Sequence, residues 1–484
     1  MLVQQIYEWA ATQPDRTALI EGDLSTSYAQ FARMIEAARK HLATEDLPVG
    51  KFAVVFSRTV LEKWVTVLAL RALGLHTVTI ATLALAGELG IRNVSCVVTT
   101  QEMSRQIGAV PAAFGGARLI SVPQTVYGRD STAPVPSHPG DAPPYGGYLI
   151  CTSGTTGAYK KVFYEGALEK ESILWQADAF SLDKNSIFHI VDFPTFTAIG
   201  AKCPPGAWYA GGCAVISSGA ERLRDFFRHR PTHAILIPAM VSQLLEARRD
   251  GDALQTGFEL GVGGGFLPLQ VAERAVRHIT PRVNVYYAST ETSALLRSQF
   301  RSLEDLHWLT PHKSTIEIID DAGNECAPGV EGELRMRRRD FDPSGYLDDD
   351  ETTAKFFRDG CFYPGDLAVR REDGRIRVLG RTEDVVNVRG WKIAVAPLEE
   401  LIQRRLGVDT VCVFSELDKS GEERIVIALE SDRLPPEDKL AAAIQDRTGF
   451  ERVRWEVLET FPRTEGGTSK VNRRKLRPLV TRSG

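Results

Sequence analysis

Tyr148-Leu149-Ile150-Cys151-Thr152-Ser153-Gly154-Thr155-Thr156-Gly157-Ala158-Tyr159-Lys160-Lys161-Val162 is the stretch around which the rest of the chain organises. An apolar, strand-like run leads into six residues made only of Thr, Ser and Gly, and two lysines follow shortly after. Glycines let backbone N–H groups turn toward an anion, hydroxyls donate further hydrogen bonds, and a lysine adds charge. These are the requirements for holding a triphosphate. Taken alone, the stretch also reads as a Ser/Gly turn with solvated lysines. It does not satisfy the G-x-x-x-x-G-K-[ST] phosphate loop. A dinucleotide-binding reading fails at residues 261–266, where Phe266 occupies the third glycine position.

On either side of this loop, helix-like and strand-like patterns alternate. Residues 28–41 (YAQFARMIEAARKH) carry apolar side chains at helical spacing, and residues 52–56 (FAVVF) form a short buried-strand run. A second helix is expected at 60–73 and a second strand at 76–80. Such repeated strand–helix–strand units predict a parallel sheet covered by helices. Residues 120–147, with the run STAPVPSHPGDAPPYGG, read as a surface connection. Beyond the loop, strands are expected at 234–237 and 283–287, a helix at 240–248, and antiparallel strands over 315–339 with a turn at 320–323. Residues 375–388 again look strand-like, and the last ~100 residues look like a compact α/β unit. A chain of 484 residues exceeds a single core, since cores stop growing near roughly 250–300 residues. The boundary is placed near 381–384.

The loop is followed by further segments in a fixed order. Gly263-Gly264-Gly265-Phe266-Leu267-Pro268 comes first, then Tyr287-Ala288-Ser289-Thr290-Glu291. Gly345-Tyr346 leads to Tyr363-Pro364-Gly365-Asp366-Leu367, and Gly380-Arg381-Thr382-Glu383-Asp384 opens a run through Gly390 to Glu400. Pro462-Arg463-Thr464 precedes Lys470, Arg473 and Arg474. This series resembles that of the adenylate-forming superfamily, which contains acyl- and aryl-CoA synthetases, nonribosomal peptide synthetase adenylation domains and luciferases. The chain departs from the family pattern at Ala288, Pro364 and Ser469, and its segment between Thr464 and Lys470 is longer than usual.

The resemblance implies an α/β fold. A large N-terminal domain (1–381) would combine helix-covered sheets with a β-barrel-like part, and a hinge (382–385) would lead to a small mobile C-terminal α/β domain (386–484). It also implies roles. Thr152, Ser153, Gly154, Thr155, Thr156, Gly157 and Lys160 would surround the phosphates, and Gly263, Gly264, Gly265 and Tyr287 would flank adenine. Asp366 would hold the ribose hydroxyls, with Arg381 beside ribose and phosphate. Thr290 would contact the α-phosphate and the substrate carboxylate, Glu291 would bind Mg²⁺, and Lys470 would bridge carboxylate and α-phosphate. Arg473, Arg474 and Lys475 are the alternatives to Lys470. Glu383 would be the pivot of domain alternation, and Gly390 would line the thiol tunnel.

The implied activity is that of an AMP-forming acid–thiol ligase. ATP and a carboxylic acid give an acyl-adenylate and pyrophosphate, and the acyl group then passes to the thiol of coenzyme A. Positioning and charge stabilisation dominate such chemistry. Amino-acid-activating relatives carry an Asp that pairs with the substrate ammonium, where this chain aligns Ala198, with Asp192 the nearest alternative. An unpaired buried ammonium is costly. With Phe196, Thr197 and Met240, the pocket therefore suits an aryl or aliphatic acid, although such residues also read as ordinary core. A free-standing carrier protein is the alternative acceptor, with an acyl or amino acid as its cargo. A degenerate nucleotide binder without activity is the second alternative.

A net charge of −4 offers no attraction for nucleic acid or anionic lipid. Seven scattered cysteines, without a C-x-x-C pair, suit reduced thiols in a cytoplasmic protein. The N-terminus MLVQQIYEWAATQPD lacks the pattern of a signal peptide, and apolar runs break before the ~18 residues of a membrane span.

Overall fold

Paired side-chain and backbone hydrogen bonds start the two helices that organise the first part of the chain. Ser27 with Gln30, and Thr59 with Glu62, form reciprocal capping boxes at the heads of Tyr28–Ala43 and Val60–Ala72. In Val60–Ala72 every residue except Val60 and Lys63 is buried. A helix buried on nearly every side must be covered all round, and this one packs against strands of two different sheets. The computed structural model describes residues 1–82, 89–107, 110, 114–130, 133–136, 144–153, 159–218, 223, 226–248, 252–382, 385–388, 391–417, 423–444, 453–463 and 471–481.

The first sheet has six strands, in the order Arg118–Val122, Val94–Thr100, Phe52–Phe56, His76–Thr79, Tyr148–Ser153, Tyr159–Tyr164. All neighbours are parallel except the last pair, a hairpin around residues 154–158. The second sheet has nine strands. Its central members Ile187–Val191, His233–Leu236, Glu259–Val262 and Arg282–Ala288 are parallel and mostly buried. Ligands of open parallel sheets collect beyond the carboxyl ends of the strands. Here the ends of Glu259–Val262 and Arg282–Ala288 deliver the Gly263 and Thr290 loops.

The part expected to be barrel-like is an open sheet. Phe357–Arg358, Cys361–Phe362, Glu331–Arg337, Asp366–Arg370 and Ile376–Arg381 lie in that order, with Ile316–Ile319 beside Glu331–Arg337. Two other expectations change. The surface connection begins later than residue 120, because Arg118–Val122 is a strand and Gln124–Tyr127 a short 3-10 helix. The strand expected over 375–388 is divided, with Ile376–Arg381 in the open sheet and Val385–Val388 in a separate hairpin with Trp391–Ala394.

The C-terminal part has its own core. Val411 and Val413 face Leu398 and Ile402 of the helix Val395–Leu406, while Cys412 and Phe414 face Phe461, Leu476 and Val480. The period-two alternation of one strand thus feeds two opposite faces. This small unit meets the large one through Glu400, which is 6% exposed. Its carboxylate contacts His307 Nε2 at 2.9 Å, Arg377 Nη2 at 3.4 Å and Arg404 Nε at 3.8 Å. No helix among the described residues is long and apolar enough to cross a membrane.

Candidate active site

The phosphate-loop hairpin pairs Thr152 with Lys160 and Ser153 with Tyr159. Gly154, Thr155, Thr156 and Gly157 lie outside the described residues, as does the side chain of Ser153. The two lysines diverge, as alternation along a strand requires. Lys160 Nζ sits 3.8 Å from the Phe356 ring centroid and 4.9 Å from that of Tyr346. Lys161 instead donates to the Gly90 carbonyl at 3.0 Å. Burial lowers the pKa of Lys160, opposed chiefly by the Glu291 carboxylate. The segment around Tyr346 is laid along this hairpin by the Val162–Tyr346 bridge and by Leu347 N–H donating to the Lys161 carbonyl.

Glu291 is 7% exposed and faces this cation. Tyr346 Oη donates to its Oε1 at 2.9 Å, and Ser289 Oγ donates to its Oε2. Burial, and then the charge of Glu291, raise the Tyr346 pKa, so the hydroxyl keeps its proton. A carboxylate offers about four acceptor positions, so two remain for other partners. Mg²⁺ is commonly held by one or two carboxylates plus substrate phosphates, and Glu291 fits that pattern. No cluster of three or more metal-ligating side chains occurs among the described residues.

The Thr290–Glu291 loop is anchored from behind. Buried Asp342 accepts from Ser293 N at 2.7 Å, Thr292 Oγ1 at 3.1 Å, Ser293 Oγ at 3.2 Å and Arg339 N at 2.8 Å. From the other side the Thr290 carbonyl accepts from Tyr164 Oη at 2.5 Å and Lys202 Nζ at 3.4 Å.

A second constellation lies where the nine-stranded sheet meets the open one. Tyr287, at the end of Arg282–Ala288, donates its hydroxyl to Asp366 Oδ2. Burial and this carboxylate raise the Tyr287 pKa well above its usual value. Asp366 and Arg381 are direct partners in the antiparallel register, and Arg381 Nε lies 3.3 Å from Asp366 Oδ1. Arg381 also donates to the Pro364 carbonyl at 2.5 Å, so Pro364 contributes a main-chain acceptor. The glycine loop approaches closely. Gly264 has φ +77°, which disfavours a side chain, and a Cβ at Gly261 would lie 2.4 Å from the Tyr286 ring. Gly263 N–H is tied to the Leu236 carbonyl at 3.1 Å, and Gly265 packs near Pro238.

The expected pocket residues sit where the helix Ala198–Tyr209 begins. Thr197 caps that helix: it accepts from Gly200 N–H at 3.3 Å and donates to the Pro194 carbonyl at 2.7 Å. Ala198 is its first residue. Phe196 is 9% exposed in the cluster beneath the six-stranded sheet, and its carbonyl accepts from Cys151 N–H at 3.0 Å. Met240, on Pro238–Ala247, is buried in the main core. Asp192 lies just past Ile187–Val191 at φ +52°, its amide bonded to the Ser217 carbonyl.

The structure thus brings together Lys160, Thr290 and Glu291, and also Tyr287, Asp366 and Arg381. Glu383, Gly390 and Lys470 lie outside the described residues. Arg473 is committed to the fold: it donates to Glu399 Oε1 at 2.7 Å and to the Val413 carbonyl at 2.6 Å. Sequence reasoning missed Tyr164, Lys202, Ser289 and Asp342. Lys202 alone had a visible signal, as the single charge in the apolar helix AIGAKCPPGAWY.

Comparison with known proteins matches residues 6–346 to the family model described as AMP-binding enzyme. Salicylyl-CoA synthase / salicylate adenylyltransferase of a Streptomyces species is 24% identical, over 98% of this chain and 93% of that protein. Indoleacetate–CoA ligase of Aromatoleum aromaticum is 25% identical, over 99% and 98%. A plipastatin synthase of Bacillus subtilis is 25% identical over 66% of this chain, which spans only 13% of that protein's length. Among solved structures, the amide bond synthetase McbA from Marinactinospora thermotolerans superposes with a TM-score of 0.83 at 19% identity, covering 99% of both chains. With its large N-terminal and small C-terminal parts, its helix-covered sheets and a family match over most of its length, the chain belongs to the AMP-binding enzyme family and has the fold of adenylate-forming enzymes.

Proposed function

We propose that this protein activates an aryl or aliphatic carboxylic acid with ATP and transfers the acyl group to the thiol of coenzyme A. The observation that carries the reading is the pairing of two constellations. Glu291 and Lys160 provide a carboxylate and a cation beside the phosphate-loop hairpin. The Tyr287–Asp366–Arg381 chain provides an aromatic ring, a carboxylate and a guanidinium suited to a nucleoside. Near full-length similarity to two ligases named for aromatic acids and coenzyme A supports the acid class and the acceptor.

In the first half-reaction a carboxylate oxygen attacks the α-phosphorus of ATP and the bond to the pyrophosphate oxygen breaks. Catalysis here is chiefly positioning and charge stabilisation. Glu291 would hold Mg²⁺, which would supply positive charge to the phosphates. Lys160 adds a cation beside the phosphates, Asp366 accepts from the ribose hydroxyls, and Arg381 stands beside ribose and phosphate. Thr290 and Lys470 are the proposed contacts of the reacting carboxylate. In the second half-reaction the thiol sulfur attacks the adenylate carbonyl, its proton is lost, and AMP leaves with the electron pair of the broken C–O bond. We assign residues 1–381 to the adenylating domain, 382–385 to the hinge and 386–484 to the mobile domain, with Glu383 as pivot and Gly390 in the thiol path. Phe196, Thr197, Ala198 and Met240 are the proposed acid pocket.

Pyrophosphate exchange across a panel of aryl, aliphatic and α-amino acids tests the activation step. Thioester formation with coenzyme A, compared with a phosphopantetheinylated carrier protein, tests the acceptor. Exchange with no acid would refute activation, and transfer to the carrier alone would refute coenzyme A.

A further inference from the structure

Lys202 joins three elements that the sequence motifs leave separate. It rises from the second turn of Ala198–Tyr209, the helix whose start holds the proposed acid pocket. Its Nζ donates to Tyr164 Oη, and Tyr164 is the last residue of the second strand of the phosphate-loop hairpin. The same ammonium lies 3.4 Å from the Thr290 carbonyl, to which Tyr164 also donates at 2.5 Å. Both acceptor positions of that carbonyl are therefore used. Tyr164 cannot readily move away. It is 3% exposed, its ring stacks on Tyr148 at 5.0 Å, and Lys202 Nζ lies 4.3 Å from its centroid. Asp342 and Glu291 are the nearby carboxylates that favour the charge, against a desolvation cost. A cation in such surroundings is expensive to keep. Its placement therefore asks for a role.

We propose that Lys202 is a positioning residue: its ammonium and Tyr164 clamp the main chain at Thr290, fixing the Thr290–Glu291 loop against the phosphate-loop hairpin. It touches no reacting atom. Asp342 holds the C-terminal side of the loop through Thr292 and Ser293, and Lys202 holds the opposite side. Between these two anchors Thr290 and Glu291 keep a fixed orientation toward the phosphates. The catalytic part of this inference rests on the acid-activation reading, whereas the clamp itself does not.

Lys202→Met preserves much of the stem and removes the donors, while Lys202→Arg preserves charge and donors. Hydrogen exchange of the amides over residues 289–293 reads the loop without any substrate. It is expected to quicken several-fold in the Met variant and to return toward wild type in the Arg variant. Pyrophosphate exchange in the Met variant is expected to lose roughly 10- to 100-fold in kcat, the scale of hydrogen bonds to charged groups. The affinity for adenosine should change little, because the nucleoside without its phosphates is read by Tyr287, Asp366 and Arg381, which hold one another. Unchanged loop exchange in a folded Met variant overturns the proposal, as does a parallel fall of adenosine affinity and kcat. Exchange with no acid by the wild-type protein would instead refute the activation reading and leave the loop measurement to decide the clamp.

Discussion

Asp366→Asn is the substitution that most directly tests nucleotide recognition. Asp366 is 5% exposed, with Tyr287 on Oδ2 and Arg381 on Oδ1, and its carboxylate is the proposed acceptor of the two ribose hydroxyls. The amide has the same shape but turns one oxygen into a donor, so one ribose bond is lost and the other becomes neutral. A hydrogen bond to a charged group contributes about 1.5–3 kcal/mol and a neutral one about 0.5–1.5 kcal/mol. Loss of one and weakening of the other removes roughly 2.5–4 kcal/mol, which is about 10²–10³ in kcat/KM for ATP. The Arg381 side chain is 50% exposed, so its weakened ion pair adds little. Pyrophosphate exchange should be measured with ATP and with its 2′-deoxy and 3′-deoxy analogues, in wild type and variant. If Asp366 reads the ribose, the wild type discriminates against the analogues and the variant does so far less, a coupling that a double-mutant-style cycle isolates. A variant that discriminates as strongly as wild type would refute the assignment, whatever its overall rate.

Lys470→Ala is expected to abolish pyrophosphate exchange while sparing thioester formation from pre-made acyl-adenylate, because its charge is needed only as the α-phosphate reacts. Equal loss in both assays would remove that role. Glu291→Ala should raise the Mg²⁺ concentration required for half-maximal exchange by at least roughly tenfold, the effect of about 1.4 kcal/mol; an unchanged titration would count against Glu291 as a metal ligand. Glu400→Gln should lower stability in denaturant by about 1–3 kcal/mol. Its loss should be less than additive with His307→Gln if the 2.9 Å contact joins the two parts of the protein. Fully additive losses would mean that the contact contributes nothing.

The sequence alone determined the fold class and the order of many of its elements, and it marked the candidate site residues. It could do so because those signals are local. Apolar periodicity marked the helix read at 28–41, which is Tyr28–Ala43, and the strand Phe52–Phe56, and short Gly, Thr and Asp segments marked the loops that follow strands. Tertiary structure decided what depends on distant residues meeting. The strand expected over 375–388 divides because residues 376–381 pair with 366–370, whereas 385–388 pair with 391–394. No local spacing reveals that Tyr164 and Lys202 meet at Thr290, more than eighty residues away from either. Nor does it reveal that Asp342 anchors Ser293 from 49 positions away, or that Glu400 faces His307. Local chemistry specifies which residues can bind a phosphate, a ribose or a metal. Only the packing of separate sheets and helices specifies which side chains hold those residues in place, because that support comes from charges and hydroxyls whose partners are contiguous in space and not in sequence.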